Sequence, residues 1–395
     1  MHGVHGVQGL RGRRGGGRPA ARLQHLSADM LDLTLAQRLI DAVGRQHFEL
    51  TPDRQLQGAA LADFPSIDLA VVGFAPGQAP RAANLLFSRH ARHGHVAALG
   101  ARGERPADVR FWADLTDDLK VSIAWQPRTN WAQLPLRDLL NPPEPATPGA
   151  AAGPALRVIA PYPASLLKVM VALGVGLALD AGLARLADVE AAARVMIVDS
   201  DNDATTLMVR RLHEWGLIVR GPHGETHNAV NALLASRGLH TLQLNNTARD
   251  GGWGNAAGSG VGHIHMTAWD TLRLFWLLDP DAPPAPWPGA APLLSAGSRD
   301  VLLRWLGEHS PNRILFRDEA ASGLHFFHKT GTTANYGSDA GIVRARAPGR
   351  RHYIVALLSN LGSRYGPPGA EFDVSPKLSG LGLAVDAVMQ ELLGP

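Results

Sequence analysis

The sequence predicts an α+β fold in which one antiparallel sheet is flanked by helices and an all-helical lobe is inserted into the chain. Short, β-branched apolar segments that are typical of strands occur before residue 161 and again after residue 323. The long stretch between them has apolar residues at helical spacing. Because strands and helices do not alternate along the chain, a parallel α/β protein is not expected. One sheet therefore takes strands from both ends of the chain.

The region before residue 161 is predicted to hold one helix and several short strands. Apolar residues at helical spacing predict an amphipathic helix over residues 30–43. Short apolar segments predict strands at residues 67–74, 95–99, 121–125 and 157–160. The segment at 141–154, which is rich in proline, alanine and glycine, is predicted to be a loop.

The middle of the chain is predicted to be mostly helical. A helix begins at Ser165 and runs to about residue 179, because Pro161 and Pro163 prevent an earlier start. Further helices are predicted at residues 189–197, 204–214, 228–237 and 267–278. After a proline-rich loop at 280–292, Ser295 can cap another helix that ends at about residue 306.

The last part of the chain returns to strands and ends in a helix. The strands are predicted at residues 324–329, 341–346 and 353–359, and the helix at 378–393. We therefore predict one domain over residues 29–395, divided into an α/β lobe (29–164 and 315–395) and a helical lobe (165–314). Residues 1–28, which are basic and rich in glycine, are expected to be a disordered tail.

Composition and charge disfavour several classes of protein. The net charge is only +3, which argues against a nucleic-acid-binding domain, and the absence of cysteine excludes disulfides and thiolate chemistry. The best apolar segment, 169–179, is too short to span a membrane and is predicted to be a core helix, so no integral membrane segment is expected. No metal is predicted, because the histidine clusters at 90–95 and 263–265 are typical of surface loops. No cofactor is predicted either, because the glycine-rich segment 258–262 lacks a preceding strand, and a monomer is expected.

Three short motifs that can carry chemistry follow one another along the chain. The first, S-L-L-K at residues 165–168, opens a predicted helix. The second, S-D-N at residues 200–202, lies between two predicted helices, and the third, K-T-G at residues 329–331, lies at the end of a predicted strand. Each motif alone is common by chance, but all three in this order and in these structural contexts indicate an active site.

The first motif has the spacing of a nucleophile and its base. Residues three apart on a helix share a face, so Lys168 can reach the hydroxyl of Ser165. A hydroxyl is a poor nucleophile until a base removes its proton, and a lysine is a base only when it is neutral. Burial, or a nearby cation such as Lys329, would favour the neutral amine. The helix N-terminus also favours negative charge at the reacting centre.

These motifs resemble those of the serine β-lactamase and penicillin-binding-protein superfamily, which are S-x-x-K, S-D-N and K-T-G. The surrounding sequence is most similar to the class A β-lactamases: PYPASLLKVMVAL resembles their nucleophile helix, MIVDSDNDATTLMVRRL their S-D-N segment and HKTGTTANYGSDAGIV their active-site strand. The resemblance runs from about residue 67 to the C-terminus, with an unusual stretch between 87 and 156. It implies a β-lactamase/transpeptidase-like fold and a serine hydrolase that cleaves β-lactam amides, with a D,D-peptidase or another amide or ester hydrolase as the alternative.

The resemblance implies a catalytic role for four of the motif residues. Ser165 would attack the substrate carbonyl and form an acyl-enzyme, with Lys168 as the base for that step. Ser200 would relay a proton to the leaving nitrogen. Lys329 would complete the catalytic set and, with Thr330, would bind the substrate carboxylate.

The resemblance also implies a set of substrate-binding residues. They are Asn202, Thr330, Gly331 and Thr332. Asn202 would hold the side-chain amide of the substrate. The backbone N–H groups of Ser165 and Thr332 would form the oxyanion hole, and loss of one such donor costs about a hundredfold or more in rate.

The chain departs from the class A pattern where those enzymes carry the Glu that activates the deacylating water. In the corresponding segment, T-A-R-D-G-G-W-G-N at residues 247–255, Ala248 stands in its place. Asp250 is the nearest carboxylate and is a candidate deacylation base, with a solvated loop carboxylate as the alternative interpretation. Glu225 is predicted to be solvated in a loop. The missing Glu leaves open a second class of function, a protein that binds β-lactams or peptidoglycan fragments without turnover.

The expected substrate is a small molecule or a peptidoglycan-like compound, either a β-lactam or a D-amino-acid peptide. Trp253 and Tyr336 each follow a motif region, so each either lines the cleft or packs in a loop or the core. Relatives of this kind usually act outside the cytoplasmic membrane, which implies a periplasmic or extracellular location. No apolar segment follows the basic start of the chain, as a secretory signal would require.

Overall fold

The structure is a computed structural model that describes residues 30–61, 63–106, 108–113, 156–253, 261–309, 314–317, 323–346, 351–369 and 373–394. Its helices are α1 Leu33–Gly44, α2 Lys168–Asp180, α3 Leu186–Val198, α4 Asn202–Glu214, α5 Ala229–Ser236, α6 Ala268–Leu278, α7 Ala296–Gly307 and α8 Pro376–Leu393. Its strands are β1 Pro52–Asp53, β2 Ala59–Ala60, β3 Ile67–Gly73, β4 Arg81–Ser88, β5 Ala91–Val96, β6 Val109–Ala113, β7 Leu156–Ala160, β8 Ile218–Gly221, β9 Gly224–Asn228, β10 Gln243–Leu244, β11 Ile264–His265, β12 Leu324–Thr332, β13 Gly337–Ala345 and β14 His352–Ser359. The predicted tail at 1–28, strand at 121–125 and loop at 141–154 lie outside the described residues.

The largest sheet of the described chain has six antiparallel strands in the order β12–β13–β14–β3–β4–β5. At its centre, β14 pairs with β3 in an unbroken register from Ser359 opposite Ile67 to Tyr353 opposite Gly73. Strands β3 to β5 precede the helical region and β12 to β14 follow it, so the sheet takes strands from both ends of the chain. This confirms the predicted α+β fold and places β12, which contains the K-T-G motif, at one edge of the sheet.

Helices cover both faces of this sheet. Side chains of consecutive residues in a strand point to opposite faces, so neighbours in β14 belong to different cores. Val355 belongs to a buried cluster that includes Leu39 of α1 and Leu381 of α8. Ala356 belongs to a second buried cluster, which includes Phe275 of α6 and most of α2. The sheet is therefore the middle of three layers.

Helix α2 lies at the centre of the helical region. Ten of its 13 residues are buried, and it contacts α3, α4, α5 and α7, which explains why its sequence is apolar on every side. Gly174 allows α4 to pack closely, because a Cβ at this position would lie 2.7 Å from Cδ2 of Leu212. The predicted core helix at 169–179 is confirmed. No helix of the described part of the chain is long and apolar enough to cross a membrane.

The helical region also contains two small antiparallel ladders, β8 with β9 and β10 with β11, which the sequence analysis does not predict. Strand β9, with the sequence GETHN, has no apolar residue, and β10 and β11 have two residues each. Hydrophobic periodicity cannot identify such strands, because they bury no continuous apolar face.

Strand β4 is also absent from the prediction, for the opposite reason. Seven of its eight residues are buried, so its sequence shows no alternation between apolar and polar positions. Next to it, β5 ends at Val96, and the strand predicted at 95–99 is shifted towards the C-terminus relative to it. The strand predicted at 157–160 is β7, which pairs in parallel with β6 outside the six-stranded sheet.

Candidate active site

Ser165 lies on the short 3₁₀ turn Ala164–Leu167, which leads directly into α2. The helix predicted to begin at Ser165 is present, but its α-helical part begins three residues later. Ala164 has a φ of +50°, a left-handed conformation that residues with a side chain seldom adopt. Ser338 of β13 donates a hydrogen bond to the carbonyl of Pro163 at 2.5 Å, so the sheet holds the turn in place.

The S-D-N motif lies between α3 and α4, where it surrounds the amine of Lys168. Asp201 caps α4, because its carboxylate accepts a hydrogen bond from the N–H of Ala204 at 2.7 Å. The Nζ of Lys168 donates to the carbonyl oxygen of Ser200 at 2.5 Å and to Oδ1 of Asn202 at 2.8 Å. It also lies 3.3 Å from Oγ of Ser200. The first two motifs therefore meet through one lysine.

The K-T-G motif completes the arrangement from the edge strand β12. Lys329 is fully buried, and its Nζ donates to Oγ of Ser200 at 3.0 Å and to the carbonyl of Thr330 at 2.9 Å. The hydroxyl of Ser200 thus lies within hydrogen-bonding distance of both Lys168 and Lys329. A proton can pass between these three groups without a change in the backbone.

The charge states of the two lysines are shifted by their surroundings. Burial lowers the pKa of Lys168 to about 8, and the nearby carboxylate of Asp201 opposes this shift. Burial and then the positive charge of Lys168 hold the pKa of Lys329 well below its usual range, with Asp339 acting in the other direction. Because like charges disfavour each other, a neutral amine is accessible near neutral pH, as a general base requires.

Strand β12 passes directly beside the nucleophile turn at Gly331. A Cβ at this position would lie 2.1 Å from the carbonyl oxygen of Pro163 and 2.7 Å from the amide nitrogen of Leu166. Both are backbone atoms, so they cannot move aside as a flexible side chain could. Glycine is needed here for the close approach that brings Thr332 into the same cleft as Ser165.

The cleft formed by these elements has a volume of about 620 Å³. The described residues that line it are Tyr162, Ala164, Ser165, Leu167, Lys168, Asn202, Thr205, Thr206, Gly252, Trp253, Thr332 and Thr333, and none of them is acidic. Trp253 thus lines the cleft, whereas Tyr336 is buried and packs its ring edge-on against Tyr162, with 5.6 Å between the ring centroids. Lys329 and Thr330 are buried and do not line the cleft, so their role in binding a substrate carboxylate stays a prediction.

The segment in which Ala248 is predicted to stand in place of the family Glu forms a tight turn. The N–H of Gly251 donates to the carbonyl of Ala248 at 2.9 Å. Gly251 has a φ of +93°, and a Cβ there would lie 2.0 Å from the carbonyl oxygen of Thr206, so the turn is seated directly on α4. Asp250 is exposed, and its Oδ1 accepts a hydrogen bond from the N–H of Gly252 at 2.9 Å. The structure does not bring Asp250 into the lining of the cleft.

Glu225 differs from its prediction as a solvated loop residue. It lies on β9, and its Oε1 accepts hydrogen bonds from the N–H of Thr247 at 2.9 Å and from the hydroxyl of Thr247 at 3.1 Å. Its carboxylate therefore ties the β8–β9 hairpin to the start of the turn that contains Ala248.

His309 is a residue of the site that the sequence analysis does not single out. It follows the end of α7 by two residues and is 7% exposed. Its Nε2 lies 2.8 Å from Oγ1 of Thr330 and 3.4 Å from Nζ of Lys329. No local pattern marks such a histidine, because its contacts are made with a distant strand.

Sequence comparison matches part of the chain to a known family of proteins. Residues 185–372 match the family described as the β-lactamase enzyme family, a range that includes the S-D-N and K-T-G motifs. This confirms the resemblance recognised from the motifs for that part of the chain, which is similar to the β-lactamase enzyme family. No curated protein matches the chain in sequence.

Several solved structures are similar to this one at low sequence identity. A PBP-A mutant, solved as an acyl-enzyme complex with penicillin G, is 15% identical, with 92% of this chain and 98% of that chain covered and a TM-score of 0.49. A class A β-lactamase variant of the last common ancestor of Gram-negative bacteria is 16% identical, with 91% and 98% covered and a TM-score of 0.47. The β-lactamase from Sphaerobacter thermophilus is 15% identical, with 91% and 99% covered and a TM-score of 0.45.

Proposed function

We propose that this protein is a serine hydrolase that forms an acyl-enzyme at Ser165, with a β-lactam amide as its substrate. The observation that carries the proposal is the position of the Lys168 amine, which is buried, bonded to both Ser200 and Asn202, and part of the cleft that Ser165 lines. A D-amino-acid peptide, or another amide or ester, is the alternative substrate, because each presents the same carbonyl chemistry.

The hydrogen bonds of Lys168 support its role as the base for acylation. A neutral amine has two N–H donors and one lone pair. The carbonyl oxygens of Ser200 and Asn202 can only accept, so they take the two N–H groups at 2.5 and 2.8 Å. The lone pair is then left for a hydroxyl proton, which a base must take from Ser165 when the serine attacks.

The position of Ser200 supports a role in protonating the leaving group. Its hydroxyl accepts hydrogen bonds from Lys329 at 3.0 Å and lies 3.3 Å from Lys168. In the proposed sequence, the proton taken from Ser165 by Lys168 passes through Ser200 to the leaving nitrogen. Lys329 stabilises the negative charge that develops on the Ser200 oxygen during this transfer.

The direction of the β12 backbone supports an oxyanion hole at Thr332. The N–H of Thr330 points away from β13, since it donates to His309 at 3.2 Å. Backbone groups two residues apart in a strand point the same way, so the N–H of Thr332 also points to the open edge of the sheet. With the N–H of Ser165, it would bind the oxyanion of the tetrahedral intermediate.

The described lining of the cleft provides no carboxylate to activate the water that would hydrolyse the acyl-enzyme. This favours a second candidate function. No acidic residue is among the described residues that line the cleft. Asp250 is exposed and bonded to its own turn, so we propose that it is not a deacylation base. A long-lived acyl-enzyme, as in a penicillin-binding protein, is therefore the expected outcome with many β-lactams.

A combined turnover and mass measurement tests the proposal. The protein is mixed with a fluorescent penicillin and, separately, with a chromogenic cephalosporin, while intact mass and product are followed together. We expect a stoichiometric adduct that is lost in Ser165→Ala and retained in Ser236→Ala, which removes an exposed hydroxyl on α5 outside the cleft. Steady turnover would assign β-lactamase activity, and a persistent adduct would assign penicillin binding. Absence of an adduct and of turnover would reject β-lactams as substrates.

Replacing Asp250 by asparagine should leave the lifetime of the adduct unchanged within about twofold. The substitution keeps the Oδ1 that accepts from Gly252 and removes only a solvated charge, whose contribution at the surface is small. Decay of the adduct is followed by mass spectrometry after excess penicillin is removed. An adduct at least tenfold more persistent in Asp250→Asn would show that this carboxylate does activate the deacylating water.

A further inference from the structure

His309 occupies a buried position between the two motifs that flank the cleft. It lies where the chain leaves α7, with the last residue of α3 on one side and the K-T-G strand on the other. It does not line the cleft, so a substrate in the cleft would not touch it. Any effect on the reaction must therefore pass through the residues that it contacts.

The contacts of the imidazole define its tautomer. Nδ1 lies 3.0 Å from the carbonyl oxygen of Val198, which can only accept, so Nδ1 carries the hydrogen. Nε2 would carry a second hydrogen only in the imidazolium form. Burial, the charge of Lys329 and the nearby His328 all lower the pKa of His309, so the ring is neutral and Nε2 is an acceptor.

Three donors converge on this one acceptor. The hydroxyl of Thr330 lies at 2.8 Å, its N–H at 3.2 Å and the Nζ of Lys329 at 3.4 Å. Within the described part of the chain, Thr330 belongs to a strand at the edge of the sheet, and no strand there accepts a hydrogen bond from its N–H. The histidine therefore satisfies a buried backbone donor. The Nζ of Lys329 also donates to Ser200 Oγ and to the carbonyl of Thr330.

We propose that neutral His309 is a positioning residue for acylation: it fixes Lys329 and Thr330 from behind the strand and so holds the Lys329 amine against the hydroxyl of Ser200. This inference rests on the proposed acylation at Ser165. The Nδ1–H bond to Val198 connects the same ring to the chain two residues before Ser200. One imidazole thus sets the distance between the S-D-N and K-T-G motifs.

Two substitutions test the acceptor Nε2 and the donor Nδ1–H of His309 separately. In His309→Gln, the amide oxygen can take the place of Nε2 and accept from Thr330 and Lys329. In His309→Asn, the amide nitrogen can take the place of Nδ1 and donate to Val198, but nothing occupies the position of Nε2. Both variants remove the ring, and the melting temperature reports the packing that each one loses, since asparagine is one methylene group shorter than glutamine.

The test is the saturating rate of adduct formation with fluorescent penicillin, measured together with the melting temperature. We expect His309→Asn to acylate about tenfold more slowly than the wild type or worse, and His309→Gln to stay within about threefold of it, since small displacements of catalytic groups have effects of this size. Nitrogen-15 shifts of the His309 ring should show an unprotonated Nε2 from pH 6 to 9. Equal losses in both variants, no loss in either, or a protonated Nε2 would overturn the role of His309. A wild-type protein that forms no adduct would instead reject the proposed function and, with it, the role of His309 in acylation.

Discussion

Lys168→Met should lower the rate of acylation at Ser165 by a factor of about 10³ or more, since a positioned general base contributes up to about 10⁴. Methionine is close to lysine in length and is apolar, so it suits a helix start that is already buried. It removes the amine that bonds to Ser200 and Asn202. Acylation is measured as the rate of adduct formation with fluorescent penicillin.

The acylation rate of the wild type should depend on pH through the titration of Lys168. With a pKa of about 8, about one tenth of Lys168 is neutral at pH 7 and about nine tenths at pH 9. The neutral amine is the reactive form, so acylation should rise with pH through about 8 and level off above it. The residual rate of Lys168→Met should lack this rise.

Lys377→Met supplies the matched control for this prediction. Lys377 lies on α8 and donates to the carbonyl of His47, outside the cleft. This variant should keep both the acylation rate and the inflection of the profile near pH 8. If Lys168→Met acylated within tenfold of the wild type, or if its profile still inflected near pH 8, another group would be the base.

Gly331→Ala should reduce acylation by about 10²-fold or more, because displacement of a reacting group by about 1 Å has an effect of that order. The added Cβ would lie 2.1 Å from the carbonyl of Pro163 and 2.7 Å from the N–H nitrogen of Leu166. Strand β12 must then move away from the nucleophile turn. Thr332 moves with it, so the proposed oxyanion donor leaves Ser165.

Gly297→Ala is the control for the added methyl group. Gly297 lies in α7 with no atom within 4 Å of the position of a new Cβ, so alanine should leave acylation unchanged and slightly stabilise the helix. Both variants are compared by adduct formation and by thermal unfolding. Full acylation in Gly331→Ala would mean that the strand tolerates the shift and that its close approach to the turn is not needed.

The sequence predicts those parts of the fold and of the site that are marked by a pattern among residues close together in the chain. Helix α2 is recognisable because prolines precede it and apolar residues fill it, and the three motifs are short contiguous segments. The three motifs come together because the sheet contains strands from both ends of the chain. The strand with the K-T-G motif therefore lies beside the start of α2. The structure brings Ser165, Lys168, Asn202 and Thr332 to one cleft.

The parts that sequence reasoning misses depend on contacts between distant segments. His309 is significant only because β12 passes beside it, and Glu225 only because Thr247 lies opposite its carboxylate. The orientation of Asp250 depends on Gly251, whose contact with Thr206 of α4 holds the turn. Strand β4 shows the same limit for the fold, since burial on both faces removes the alternation that identifies a strand.

The turn that carries Ser165 and the turn that carries Ser200 both contain a residue in the left-handed region, Ala164 at a φ of +50° and Ser200 at +59°. Such conformations cost roughly 1–3 kcal/mol each and persist only where surrounding contacts enforce them. This chain therefore gives up stability at the two places where its chemistry is proposed to occur. Directed evolution for heat resistance alone is expected to relax these turns first, and the resulting proteins would melt later but acylate more slowly.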